Sequence, residues 1–188
     1  MAYYNYIREQ IGMPSMNEEE VTFSHMASKG EVIERLIPEA LREAARYADI
    51  PGLYRERFMP MIRPTDHVHD FLHMAKRAGL KLALCTNRTH SVSQELRDFC
   101  MESFFDPVMT ASRAKPKPDP EGLELILLEW DIAPQDAIFI GDSIVDQQAA
   151  LGAAVPFWSF QNPEIAACIH VAGFGQLLEI FRPLLDNA

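Results

Sequence analysis

The spacing of hydrophobic residues changes character near residue 62. Up to that point apolar side chains recur every three or four positions, as on one face of an α-helix. The faces are marked by Tyr4, Ile7 and Ile11, by a longer stretch from Val32 to Ala44 interrupted at Pro38, and by Leu53, Phe58 and Ile62. No strand-like run occurs here. The pattern therefore predicts an all-helical unit over residues 1–62, with Arg63-Pro64 as a hinge.

From residue 63 onwards, short apolar runs alternate with helical periodicity. Strands are predicted at 81–85, 108–110, 137–141 and 155–160, with a weak strand near 167–171. The first of the intervening helices is predicted to run from a cap at Thr65 or Asp66 to Gly79. The second is predicted near 91–100, and the third begins at an Asp119 cap with Pro120 in its first turn. The last two are predicted near 144–151 and around 177–181. Such alternation favours an α/β fold with a parallel sheet and right-handed crossovers.

Polar residues follow two of these strands directly. The run Ala137–Ile140 stops on Gly141-Asp142, and a second carboxylate, Asp146, stands four positions further on. The run 81–85 is followed by Thr86-Asn87, and the loop Lys115-Pro116-Lys117-Pro118-Asp119-Pro120 lies between the two in sequence. Ligands of open parallel sheets bind at the carboxyl ends of the strands. A hydroxyl, a cation and a carboxylate at that edge indicate a site for phosphate and a metal ion.

These segments resemble the second, third and fourth motifs of the haloacid dehalogenase (HAD) superfamily, in its phosphoglycolate-phosphatase-like branch with a helical cap. The matching segments are Thr86-Asn87, Lys115 within Lys-Pro-x-Pro-Asp-Pro, and Gly141-Asp142-Ser143-x-x-Asp146. The resemblance extends from about residue 3 to the end. It implies a helical cap over residues 1–62 and, over residues 63–188, a Rossmann-like parallel sheet flanked by helices.

The resemblance also implies roles for individual residues. Asp142 is expected to be a Mg²⁺ ligand, with Asp146 orienting the metal site from outside the ligand set. Thr86 is expected to donate its hydroxyl to a phosphoryl oxygen. The simpler reading is that Gly-Asp-Ser ends a strand and caps a helix, and that Thr-Asn closes a turn.

Further polar groups are expected around the phosphate. Backbone N–H groups of Asn87 and Arg88 would assist Thr86, and Arg88 is a possible additional cation. The family's lysine corresponds to Lys115, whereas Lys117 fills a variable position and is expected to be solvated. The alternative is that the whole loop is a stiff connector carrying surface charge.

Two other groups carry weaker suggestions. His69 and His73 stand four apart on one helix, but without the glutamate of a His-Glu-x-x-His motif an exposed helix face is favoured over a zinc site. Ser24, His25 and Lys29 resemble, in placement, cap residues that touch the leaving group of the substrate.

The first motif of the family, Asp-x-Asp-Gly-Thr/Val, is not found in the 188 residues, which contain no Asp-x-Asp. In the family this motif carries the nucleophile and ends the central strand, so the sheet is expected to lack that strand and the chain to begin one strand late. An uncovered strand edge would invite self-association.

The expected function is Mg²⁺-dependent hydrolysis of a small phosphorylated metabolite, by an enzyme of which this chain is an N-terminally shortened form that is inactive alone. The alternative is a non-catalytic HAD-like protein that binds a phosphorylated ligand or a partner protein. A haloacid dehalogenase proper is a third option; it needs the same aspartate but no metal, and the Gly-Asp-Ser-x-x-Asp arrangement favours the metal-using branch over it.

Charge and composition narrow the partners. A net charge of −10 argues against nucleic acid, because a phosphate backbone needs a basic face. No run approaches the ~18 apolar residues of a membrane span, and no signal peptide is recognised. The cysteines Cys85, Cys100 and Cys168 are widely spaced in apolar contexts and are expected to be buried free thiols. The chain is therefore predicted to be cytoplasmic and to bind neither membrane nor nucleic acid.

Overall fold

The computed structural model describes residues 2–49, 52–89 and 91–184. The chain divides into two compact units, Met1–Arg63 and Pro64–Ala188. Parts of the predicted unit ranges, at residues 1, 50, 51, 90 and 185–188, lie outside the described residues.

The first unit is helical throughout its described residues. It contains α1 (Ala2–Gln10), α2 (Glu18–Met26), α3 (Lys29–Leu36), α4 (Glu39–Ala48), a π-helical turn (Tyr54–Phe58) and a 3-10 turn (Met59–Met61). Pro38 separates α3 from α4, as the interrupted apolar pattern predicts. The third short helix predicted near residues 53–62 is instead the π-helical and 3-10 pair.

Side-chain caps set the start of two helices in this unit. Asn17 accepts a hydrogen bond from the Glu20 backbone N–H while the Glu20 carboxylate accepts one from the Asn17 N–H, which forms a capping box. Ser28 and Glu31 form the same arrangement at α3. The apolar faces then pack around Ile7, which is 2% exposed.

The second unit alternates strands and helices, so the predicted α/β class is confirmed. Its elements are α5 (Val68–Arg77), β1 (Leu84–Thr86), α6 (Ser91–Asp98), β2 (Val108–Thr110), α7 (Glu121–Trp130), β3 (Phe139–Gly141), α8 (Ile144–Gly152), β4 (Phe157–Phe160), β5 (Ile169–Val171) and α9 (Phe174–Phe181). All pairings are parallel, but they form two separate ladders among the described residues, β1-β2 and β3-β4-β5.

Two helix starts in this unit differ from the prediction. The predicted cap of α5 at Thr65 or Asp66 is wrong: His67 precedes the helix in a left-handed conformation (φ 62°) and its side chain makes no capping bond. Helix α7 is preceded by Pro120, one residue after the predicted cap, although Asp119 Oδ1 still accepts a bond from the Glu121 N–H. Gly79 ends α5 as predicted, with φ +74°.

Two apolar clusters cover the ladders. The first core cluster is built mainly from α7, α8 and β4, and the second from α5, α9, β4 and β5. Cys85 of β1 and Phe139 of β3 pack on the first cluster, and Ile140 of β3 packs on the second. The residues of β1 and β3 are only partly buried, whereas three of the four residues of β4 are buried.

The three cysteines differ in their exposure to solvent. Cys85 is partly buried, but Cys100 and Cys168 are exposed, so the predicted burial of these two cysteines is wrong. Cys100 lies in the loop after α6, and Cys168 lies directly before β5.

Within the described residues, every helix is too short or too polar to pass through a lipid bilayer.

Candidate functional site at the ends of β1 and β3

The centre of the site is the side chain of Lys117. Its Nζ lies 2.5 Å from Asp146 Oδ1 and donates to the backbone carbonyl of Cys85 at 3.1 Å. The side chain is 12% exposed and the ammonium lies 5.5 Å from the centre of the Phe139 ring. An ammonium has three N–H donors, and two of them are used here. One donor therefore has no protein partner among the described residues.

Asp146 holds this lysine in place. Its Oδ1 accepts from Lys117, and its Oδ2 accepts from the Ser143 N–H at 3.0 Å and from the Ser143 hydroxyl. Ser143 and Asp146 form the capping box at the start of α8, which ties the carboxylate to the helix N-terminus. Gly141 makes this approach possible, because a Cβ there would lie 2.5 Å from Asp146 Cβ. Asp146 therefore anchors Lys117, and its predicted role of orienting a metal site stays a prediction.

Asn87 fixes the backbone of the lysine loop. Its Nδ2 donates to the Lys117 carbonyl at 2.8 Å, and its Oδ1 accepts from the Lys117 N–H at 2.6 Å. A side-chain amide that bonds both the N–H and the carbonyl of one residue holds that backbone in place, as pairing with a neighbouring strand does. Sequence reasoning assigned the Asn87 backbone to the phosphate; the structure adds this contact between the end of β1 and the loop.

Thr86 and Arg88 follow β1 as the sequence predicts. The Thr86 hydroxyl accepts from the Arg88 N–H at 3.2 Å, which closes a tight turn after the strand. The Arg88 guanidinium forms an ion pair with the Glu95 carboxylate, which is only 9% exposed. Arg88 is therefore already neutralised by a partner on α6.

Lys115 lies on the outer side of the same loop. Its side chain is 65% exposed, with Nζ 3.7 Å from Asp119 Oδ2 and 3.6 Å from Glu121 Oε1. The expectation that Lys117 is solvated is wrong, because Lys117 is the lysine that turns inward to Asp146. Lys115 and Lys117 stand on either side of Pro116, and local spacing does not show which of them turns inward. The contact that decides it joins residues 29 positions apart.

Asp142 stands at the carboxyl end of β3 and is exposed. Its backbone carbonyl accepts from Asn162 Nδ2 at 2.8 Å, while its carboxylate makes no hydrogen bond or ion pair within the described residues. A bare carboxylate at a strand end fits a hard cation that takes one or two carboxylates and otherwise water and phosphate oxygens. No group of three or more His, Cys, Asp or Glu side chains is poised for a metal in the described part of the chain.

The inner side of the site also affects Cys85. Burial raises the pKa of the Cys85 thiol above its usual value; nearby Lys117 opposes this rise and Asp146 adds to it. The thiol is thus held protonated at neutral pH, as expected for a packing residue rather than a nucleophile.

Three of the remaining candidates, Ser24, Lys29 and His73, contact other residues of the chain. The Ser24 hydroxyl is buried and donates to the Val21 carbonyl at 2.8 Å, and Lys29 forms an ion pair with Asp49. His25 is exposed. His73 packs edge-on against the Phe104 ring, with the ring centres 4.8 Å apart.

Comparisons with known proteins agree with the fold. The sequence profile of a family described as haloacid dehalogenase-like hydrolase matches residues 1–159. A pyrophosphatase from Bacillus velezensis is 32% identical over 116 residues, covering 58% of this chain and 54% of its own. Phosphoglycolate phosphatase from Escherichia coli is 38% identical over 94 residues, covering 48% and 36%.

A solved structure gives the same result. A HAD-superfamily hydrolase of subfamily IA from Geobacter sulfurreducens is 32% identical and superposes with a TM-score of 0.75, over 95% of this chain and 86% of that chain. The matches to curated relatives span only about half of their length or less.

Proposed function

Because the chain belongs to the haloacid dehalogenase-like hydrolases, we propose that its site binds the phosphoryl group of a small phosphorylated metabolite for Mg²⁺-dependent phosphomonoester hydrolysis. One observation carries the proposal. The Lys117 side chain is only 12% exposed, its ammonium is held by Asp146 and by the Cys85 carbonyl, and one of its N–H donors has no partner in the part of the chain that the structure describes. A fixed cation stabilises charge on a transferring phosphoryl group without having to reorganise.

In this proposal Lys117 binds the phosphate, rather than Lys115, to which the family resemblance assigns that role. Lys115 is mostly exposed and shares its charge with Asp119 and Glu121. Lys117, by contrast, is fixed at both ends, because Asn87 bonds its backbone and Asp146 bonds its ammonium. An immobile donor loses little conformational entropy when it binds an anion.

Thr86 completes the phosphate contacts in the proposal. Its hydroxyl accepts from the Arg88 N–H, so its own hydrogen is available for donation to a phosphoryl oxygen. Arg88 contributes through its backbone, because its side chain is paired with Glu95.

Asp142 is the residue that would hold Mg²⁺. Its carboxylate is exposed and makes no ion pair in the described residues, whereas the Asp146 carboxylate is committed to Lys117 and Ser143. When bound, the ion would offset the negative charge of the phosphate. Asp146 acts in this arrangement by orienting Lys117 rather than as a ligand.

The proposed reaction needs a nucleophile and an acid/base, which the family carries in its first motif. The 188 residues contain no Asp-x-Asp, the pair that resemblance to the family assigns to nucleophile and acid/base. We therefore infer that this polypeptide alone binds phosphate without turning over phosphomonoesters, and that the active form carries an additional apolar strand ending in Asp-x-Asp-Gly. A non-catalytic protein that binds a phosphorylated ligand is the second candidate, favoured by the same absence.

The test compares hydrolysis of p-nitrophenyl phosphate in Mg²⁺ by this chain and by a form extended before Met1 with such a strand. The expected result is no turnover by the chain alone and turnover by the extended form, abolished in the extended form by Lys117→Met but not by Lys115→Met. Turnover by the chain alone would refute the account of the missing nucleophile. A folded, extended form without activity would favour the binding protein.

A further inference from the structure

A groove lies at the surface of the second unit, between the end of α7 and the end of α8. Its volume is about 540 Å³, and it is lined by the second half of α7, by residues 132–134 and by residues 152–154. Glu124, Leu128 and Asp131 line it from α7, where their spacing of four and three positions places them on one face. This surface, called here the α7–α8 groove, is remote in sequence from the lysine loop and from β1.

Two leucines at the groove are largely exposed. Leu128 lines the groove and is 76% exposed, and Leu151, which directly precedes the lining residue Gly152, is 79% exposed. Leu127, by contrast, belongs to the first core cluster and is 8% exposed. A single exposed leucine is ordinary, but two of them at neighbouring helix ends beside a concave surface are typical of an interaction site.

The groove lies in a segment of one-sided charge. Between Lys117 and Arg182 the sequence contains ten Asp and Glu residues and no Lys or Arg, whereas residues 1–117 contain equal numbers of acidic and basic side chains. The net charge of −10 therefore arises from this segment. All the residues that line the groove belong to it, so no Lys or Arg lines the groove in the described part of the chain.

The acidic side chains at the groove have no cation beside them. The carboxylates of Glu124 and Asp131 make no hydrogen bond or ion pair with any residue that the structure describes. At the other end of α7, the Glu121 carboxylate lies 3.6 Å from Lys115 Nζ. The end of α7 at the groove thus keeps its negative charge available for the cations of a partner.

The helix ends add to this negative potential, because the C-terminus of a helix carries a partial negative charge. Helices α1, α3, α4, α5 and α6 each have Arg or Lys in their last turn, whereas α7 and α8, both fully described, have no basic residue there. Lys81 Nζ donates to the Trp130 carbonyl at 3.1 Å, but Lys81 does not line the groove. An apolar surface and uncompensated negative charge therefore occur together.

We propose that the α7–α8 groove docks a basic amphipathic α-helix of a partner protein. The apolar stripe of that helix covers Leu128 and Leu151. Its flanking Lys or Arg side chains face Glu124 and Asp131. Amphipathic helices bind apolar grooves through side chains three or four positions apart, and opposite charges at the rim favour the correct partner. A second copy of the chain fits less well, because two such acidic surfaces repel each other.

The experiment titrates the ¹⁵N-labelled chain with an alanine-based peptide of about 14 residues, which has leucine at every third or fourth position and lysine on both sides of that stripe. The expected result is saturable one-to-one binding with the largest amide shifts at Leu128, Asp131 and Ala153. A peptide of the same composition in scrambled order, without an apolar stripe, is expected to bind at least about tenfold more weakly. The samples contain neither phosphate nor Mg²⁺, so the result is independent of the proposed hydrolysis.

Matched variants, each shown to be folded by a thermal melt, locate the binding. Leu128→Ser and Leu151→Ser are each expected to weaken it at least about fivefold, whereas Tyr47→Ser, at a side chain that is also 76% exposed, is expected to leave it unchanged. Asp131→Asn removes one charge and suits the left-handed backbone there (φ 52°). It is expected to weaken binding at least about threefold at low salt, more than Glu164→Gln, which removes one charge at another exposed position.

Four results would overturn the proposal. In the first, the parent peptide shows no saturable binding below about 1 mM. In the second, the scrambled peptide binds as tightly as the parent, which would assign binding to negative charge alone. In the third, the folded Leu128→Ser and Leu151→Ser variants bind the parent peptide unchanged. In the fourth, sedimentation shows that the unmodified chain is a dimer and that Leu128→Ser dissociates it, which would assign the groove to a second copy.

Discussion

The loop from Lys115 to Glu121 has an outer and an inner side with opposite physical character. On the outer side, Lys115 is 65% exposed and faces Asp119 and Glu121 at 3.6–3.7 Å. On the inner side, Lys117 is 12% exposed and bonded to Asp146. Two identical side chains, two positions apart, thus experience different dielectric surroundings. An exposed ion pair contributes about 0–1 kcal/mol, whereas removing one partner of a buried pair leaves an uncompensated charge. Position in the fold, rather than residue type, decides which lysine matters.

The largest difference between the two sides is expected from removing each lysine. Lys117→Met leaves the buried Asp146 carboxylate without its cation, so the free energy of unfolding is expected to fall by about 3–5 kcal/mol. Lys115→Met, the matched control, is expected to change it by less than about 0.5 kcal/mol. Urea denaturation measures both. Equal effects of the two substitutions would remove the distinction between outer and inner side.

A smaller loss is expected from Asp146→Asn. The amide retains a hydrogen-bond acceptor for Ser143 but leaves the partly buried Lys117 without a counter-charge, so a loss of about 2 kcal/mol is expected. The double variant Asp146→Asn, Lys117→Met should lose less than the sum of the single losses, because the two side chains interact. Strict additivity in a double-mutant cycle would show that the pair is not coupled.

Asn87→Ala tests the clamp on the loop backbone. It removes two hydrogen bonds to Lys117, and a loss of about 1–3 kcal/mol in unfolding free energy is expected. Asn162→Ala removes the bond to the Asp142 carbonyl and the longer bond from the Glu164 N–H, both in a more exposed setting, and is expected to cost less. A larger loss at Asn162 than at Asn87 would contradict the role given to the clamp.

The smallest perturbation is chemical modification of the thiols. Burial raises the pKa of Cys85, which lies on the inner side, whereas Cys100 and Cys168 are exposed. Because the thiolate is the reacting form, iodoacetamide at pH 8 is expected to modify Cys85 at least about tenfold more slowly than the other two. Mass spectrometry of timed samples gives the three rates. Modification of Cys85 at the rate of Cys100 would show that the inner side is open to solvent.

Much of the fold follows from the sequence because the second unit alternates short apolar runs with helical faces. The strand at 137–141 and the helix beginning near residue 144 appear where the pattern predicts them, although the strands are shorter than the apolar runs. Apolar character extends beyond the hydrogen-bonded ladder, since residues such as Ala137 pack on the core without pairing. Periodicity therefore predicts burial better than it predicts pairing.

Helix α2 and the start of α5 were not predicted correctly, and each case has an identifiable physical reason. Helix α2 has little amphipathic character, but the Asn17–Glu20 and Ser28–Glu31 spacings are capping-box signals that were available in the sequence. The α5 start was mispredicted because His67 adopts a left-handed conformation that no local pattern requires.

The choice between Lys115 and Lys117 depends on which lysine reaches Asp146. That contact joins residues 29 positions apart, and local spacing cannot predict it. The sequence thus named Thr86, Asn87, Asp142 and Asp146 as candidates, whereas Lys117, the lysine at the centre of the site, was not among them.

The most direct test of the central claim is the affinity for inorganic phosphate in Mg²⁺, measured by calorimetry on the unmodified chain, Lys117→Gln and Lys115→Gln. Thermal melts first establish that each variant is folded, and Lys117→Arg, which keeps the charge, serves as a second variant at the inner position. The account predicts at least tenfold weaker binding for Lys117→Gln, about 1.4 kcal/mol, partial recovery in Lys117→Arg, and less than a twofold change for Lys115→Gln. Unchanged affinity in folded Lys117→Gln together with a tenfold loss in Lys115→Gln would contradict it.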